Sequence, residues 1–98
     1  MGWDGLIDAV IASHPGAKVS QMFGAPCVMR ETGRVAFCSW QGDVVFRLVA
    51  EEARAQALAL DGAELFDPGM GRTMKEWVLV PAAHADRWVA LAGRSLAD

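Results

Sequence analysis

Between residues 26 and 49, three short strand-like runs are separated by two glycine turns. The runs are Pro26 to Arg30, Val35 to Trp40 and Asp43 to Val49, and the turns are Thr32-Gly33 and Gln41-Gly42. β-Branched and aromatic residues bounded by such turns favour an antiparallel meander, because glycine reaches the positive φ that tight hairpins require. A two-residue turn at Thr32-Gly33 sets Cys27 across from Cys38. A two-residue turn at Gln41-Gly42 sets Phe37 across from Phe46 and Ala36 across from Arg47. Side chains alternate along a strand, so Val28, Val35, Phe37, Phe46 and Leu48 share one face. Cys27, Met29, Ala36, Cys38, Trp40, Val45 and Arg47 share the other. Both faces are largely apolar, whereas a lone antiparallel sheet commonly leaves one face to water. The second face therefore calls for a cover: the first helix, the last helix or a second copy of the chain.

The flanking segments supply the helices. Trp3, Leu6, Ile7, Val10 and Ile11 recur at helical spacing, and Pro15 ends that helix. Ala50 to Leu60 is alanine-rich, with Glu51 and Glu52 at its positive end and Gly62 suited to its C-terminal cap. Short strands at Glu64 to Phe66 and Lys75 to Val80 follow. Pro81 closes the second of them. A last helix from about Ala83 to Leu96 carries Trp88, Val89, Ala92 and Leu96 along one side. The order is α-β-β-β-α-β-β-α with no linker, which predicts one α+β domain over residues 1–98 built on a mostly antiparallel five-stranded sheet.

At 98 residues with 53% apolar content, the chain can bury a core without disulfides or metals. Its net charge of −3 lacks the positive excess with which general nucleic-acid binders displace counterions, so nucleic acid is disfavoured as a partner. The N-terminus carries Asp4 and Asp8 and no basic residue, unlike a secretory signal. The apolar runs fall short of the ~20 residues that span a bilayer. The expectation is a soluble cytoplasmic protein with no membrane contact.

Candidate chemistry is sparse. Cys27 and Cys38 suit plain packing, although their separation across neighbouring strands is bridgeable. No close Cys or His pair gives the spacing of a zinc site, so neither metal nor cofactor is expected. No serine lies in a Gly-x-Ser-x-Gly context, and no acid–base pair is evident. The stretch DPGMGRTMKEW, residues 67–77, lacks the Lys-Ser/Thr and the following helix of a phosphate loop. It reads either as a wide turn with ion pairs from Arg72 and Lys75 to Asp67, Glu64 or Glu76, or as a binding loop with two cations beside Trp77. The Trp77 ring is expected against the core or its rim.

Three separated motifs carry a family resemblance. Met22-Phe23-Gly24 stands before the meander, Phe46-Arg47-Leu48 lies in its third strand, and Gly71-Arg72-Thr73-Met74-Lys75-Glu76-Trp77 precedes the last strand. Together, over residues 18 to 96, they resemble the N-terminal domain of the TfoX (Sxy) competence-regulator family. The resemblance implies an α+β fold with a mostly antiparallel five-stranded sheet, of the type also seen in secretion-chaperone-like domains. Its matching residues, Met22, Phe23, Gly24, Arg47, Gly71, Arg72, Met74, Lys75 and Trp77, are the candidate binding residues.

Three functions follow as expectations. The first is a non-enzymatic module acting through protein contacts and forming a homodimer. The second is a nucleic-acid-associated regulator using Arg30, Arg34, Arg47, Arg72 and Lys75. The third is a small-anion binder or enzyme with its pocket beside Arg72, Lys75 and Trp77. Clustered, unpaired cations favour the second, cations paired with acids the first, and a deep cleft the third.

Overall fold

A computed structural model describes residues 2–22, 24–67, 69, 71 and 74–97. The chain runs α1 (Trp3–Ser13), β1 (Lys18–Met22), β2 (Ala25–Met29), β3 (Val35–Trp40) and β4 (Asp43–Arg47). It continues through α2 (Glu51–Leu58), β5 (Glu64–Phe66), β6 (Met74–Val80), a 3₁₀ segment (Ala82–Arg87) and α3 (Trp88–Ala97). The strands form a six-stranded sheet in the order β1-β2-β3-β4-β6-β5, and every neighbouring pair is antiparallel. This is the expected α+β class with one strand more than the five expected. The addition is β1, whose sequence Lys-Val-Ser-Gln-Met holds little apolar content and lies at the sheet edge, where burial does not demand it.

The meander is close to its expected register. Cys27 faces Cys38, and Phe37 faces Phe46. Gln41 and Gly42 both have positive φ, 50° and 88°, the signature of a two-residue hairpin turn whose twist matches its strands. The first turn is wider than expected. Arg30 N–H donates to the Arg34 carbonyl and Gly33 N–H to the Arg30 carbonyl, so the loop holds three residues with Gly33 at φ 93°. A β-bulge then restores the register, because Met29 pairs with Val35 while Val28 pairs with Phe37. Ala36 is the extra residue. It lies in the helix-side core rather than on the face to which strict alternation assigns it.

That core gathers Leu6 and Val10 from α1, Val28, Phe37, Phe46, Val78 and Val80 from the sheet, Ala53 and Ala57 from α2, and Trp88 and Ala92 from α3. Trp3 meets Phe37 edge-on at 5.7 Å, and Phe37 lies 5.6 Å from Phe46. Trp88 Nε1–H donates to the Val80 carbonyl at 3.3 Å, tying α3 to the end of β6. The last helix starts later than its pattern suggests. Residues 82–87 wind as 3₁₀ turns with a break at His84, whose ring is held by the Asp61 carbonyl at 2.7 Å. The second helix ends at Leu58 rather than Leu60, and Gly62, at φ 84°, lies in the turn beyond it.

All three helices therefore lie on one side of the sheet. Neither the first nor the last covers the second face. Yet Cys27, Cys38, Val45 and Phe66 on that face are buried. Trp40 packs edge-on against Phe66 at 5.0 Å although β4 and β6 lie between their strands. In a flat sheet, strands three apart stand roughly 14 Å from one another. The sheet must coil around this face, so its own aromatic side chains close much of it. Val45, expected in an open apolar patch, is buried within the chain.

Candidate functional site

The feature that stands out lies where β4 ends and β6 begins. The β5–β6 register jumps from Leu65 opposite Val78 to Phe66 opposite Met74, which takes Lys75, Glu76 and Trp77 out of that ladder. On the other side those residues stay tied to β4, with Trp77 paired to Arg47 and Leu48 N–H donating to the Glu76 carbonyl at 2.7 Å. Bulges of this kind re-aim side chains next to sites. Val49, Arg54, Met74, Lys75, Glu76 and Trp77 line an open depression of about 590 Å³ here.

Its charges are arranged asymmetrically. Arg47 Nη2 donates to Glu76 Oε1 at 3.2 Å, a half-buried ion pair that occupies the acid of the depression. Arg54 reaches back from α2, and its Nη1 donates to the carbonyls of Leu48 at 2.9 Å and Val49 at 3.0 Å. That clamp fixes the turn from β4 into α2 and orients the guanidinium. Among the described residues, neither Arg54 nor Lys75 meets a carboxylate. Val49 is 41% exposed, and the half-buried Trp77 and Met74 complete an apolar wall.

Of the sequence-derived candidates, Arg47, Met74, Lys75 and Trp77 come together here. Gly24 and Gly71 both lie at positive φ, 73° and 74°, so their conformation alone accounts for glycine there. Phe23 and Arg72 fall outside the described residues, as does the Met22 side chain. Glu76 is paired with Arg47 rather than with Lys75, and the pairing foreseen for Arg72 lies outside the described residues. Arg54 and Val49 went unnoticed in the sequence. A lone arginine inside an alanine-rich helix looks solvated, and only the fold turns it back towards the strand end.

Arg30 and Arg34 flank the β2–β3 loop at the same end of the sheet, which places four of the five foreseen cations there. Arg47 is nevertheless engaged by Glu76, and the depression is shallow rather than a deep cleft. Elsewhere, a hollow of about 350 Å³ at the end of α1 is lined by His14, Pro15, Arg30 and Glu31, among others. His14 Nδ1 is buried there with no hydrogen-bond partner among the described residues.

Cys27 and Cys38 are both free and buried. Burial pushes the Cys38 thiol up to about 12, and the charge and hydrogen bond of Cys27 add to the rise. Cys27 is also raised by burial, offset in part by its bond from Cys38. Both are poor nucleophiles in the folded state, since the thiolate is the reactive form. Among the described residues, no group of three or more His, Cys, Asp or Glu is placed to hold a metal ion, and no helix is long and apolar enough to cross a membrane.

No family model, curated protein or solved structure matches this chain.

Proposed function

We propose that this chain is a small, non-enzymatic, cytoplasmic binding module of the TfoX N-terminal type, acting through protein–protein contacts and working as a homodimer. The observation that carries this reading is the asymmetry of the two sheet edges. β5 is only three residues long, begins at the exposed Glu64 and is followed by Asp67 and Pro68. Short length, charge and proline are the usual ways to blunt an edge. β1 is longer, at five residues, has no proline, carries its one charge, Lys18, at its outer end, and its Val19 is 55% exposed.

A second copy suits this edge. Antiparallel pairing about Ser20 places Lys18 opposite Met22 of the second copy and Val19 opposite Gln21. The two Lys18 charges then stand roughly 13 Å apart along the strands, so no like charges face each other. Such an interface is self-complementary, as a two-fold dimer requires. The family part of the reading rests on the three motifs, and the order of helices and strands agrees with it apart from β1.

Light scattering at high micromolar concentration is expected to give twice the chain mass, and Val19→Lys to give a monomer that still unfolds cooperatively and whose melting temperature, unlike that of the wild type, does not depend on concentration. A wild-type monomer at that concentration would sink the dimer.

A further inference from the structure

We propose that the depression between the end of β4, the body of α2 and the start of β6 is a docking groove for an acidic protein segment bearing a bulky apolar side chain. The inference rests on the binding-module reading but uses a surface at the opposite side of the sheet from β1, so each can fail alone.

Three observations carry it. The first is charge. Acids outnumber bases 12 to 9 over the chain, yet the two cations lining this groove, Arg54 and Lys75, meet no carboxylate among the described residues. The acid that lines the groove, Glu76, is held by Arg47 at 3.2 Å. Among the described residues the groove therefore presents two positive groups without a neutralising partner, and the complement is a carboxylate.

The second is preorganisation. Arg54 is fixed by two backbone carbonyls at 2.9 and 3.0 Å, so little side-chain freedom is lost when it meets an anion. Arginine and a neighbouring aromatic ring are also the residue types that dominate binding energy at interfaces. The third is shape. Val49, Met74 and Trp77 form an apolar wall beside the cations, and Val49 is 41% exposed. An open groove of about 590 Å³ suits a side chain delivered by a peptide. A small molecule instead favours a cleft that buries most of its surface.

Lys75 supplies the long-range attraction from its exposed position, Arg54 fixes the carboxylate, and Trp77 with Val49 takes the apolar group. Because β6 leaves the β5 ladder at Lys75 to Trp77, the segment can dock without breaking sheet hydrogen bonds to β5.

The test is a heteronuclear NMR titration of the full chain with a ten-residue peptide of alternating glutamate and leucine. Its lysine–leucine counterpart and inorganic phosphate serve as comparison probes. The expected result is saturable shifts at Val49, Lys75 and the Trp77 indole with the acidic peptide alone. Lys75→Glu should weaken it at least about tenfold, and Val49→Asp, which leaves every cation in place, should weaken it as well. Equal binding of the basic peptide, or shifts that avoid these residues, overturns the proposal. Phosphate saturating the same resonances as tightly as the peptide also overturns it, in favour of a small-anion site. A dimer that ignores the acidic peptide removes the groove and leaves the β1 interface standing, whereas a monomer that binds it does the reverse.

Discussion

Trp88 and Trp77 show how burial, rather than residue type, sets the cost of a substitution. Trp88 is 2% exposed, packs in the helix-side core and bonds the Val80 carbonyl. Trp88→Ala should cost about 3–5 kcal/mol. Trp77 lies at the rim, half-buried beside Arg47, so Trp77→Ala should cost less, about 2 kcal/mol. Urea denaturation of the two variants checks the order, and equal losses would place Trp77 in the core. The thiols give a second residue-scale prediction. An unfolded cysteine ionises near 9, whereas folded Cys38 keeps its proton to about 12. Across that window the unfolded state binds fewer protons, so stability falls as pH rises. The contribution is fully present below about pH 9. Cys38→Ala should flatten the alkaline fall in the urea midpoint, and an unchanged slope would show that Cys38 does not cause it.

At the scale of elements, the Gln41-Gly42 hairpin holds the clearest opportunity. Gln41 sits at φ 50°, where asparagine is tolerated better than glutamine. Gln41→Asn should raise stability by up to about 1 kcal/mol, read as a higher melting temperature. This turn was legible from the sequence because glycine and the flanking apolar alternation point to the same register. The first hairpin was legible only in its outcome. Cys27 does face Cys38, but through a three-residue loop and a compensating bulge that no local pattern announces. β1 escaped notice because an edge strand needs only half of its side chains buried, and Lys-Val-Ser-Gln-Met offers one strong β-former. The late start of α3 reflects the Asp61 carbonyl holding His84, a contact across 23 positions of sequence. For the groove, the cation and aromatic of the Met74–Trp77 motif were visible. Arg54 and Val49 were not, because the β4–α2 turn that brings them there is a tertiary feature.

The whole molecule combines an acidic surface charge with cations gathered at one end of the sheet. Net charge of −3 opposes non-specific DNA binding, and Arg47 is already paired with Glu76. A mobility-shift assay at physiological salt should show no sub-micromolar complex. A tight complex that weakens with added salt would promote the regulator reading instead. In the proposed dimer, β1 meets its counterpart in a second copy. Hydrogen exchange of the amides in residues 18–22, followed at low and high protein concentration, tests it most directly. Exchange should slow as concentration rises in the wild type and not in Val19→Lys, with residues 64–66 indifferent throughout. Exchange in β1 that is the same at every concentration, in a chain whose mass stays monomeric, would contradict it.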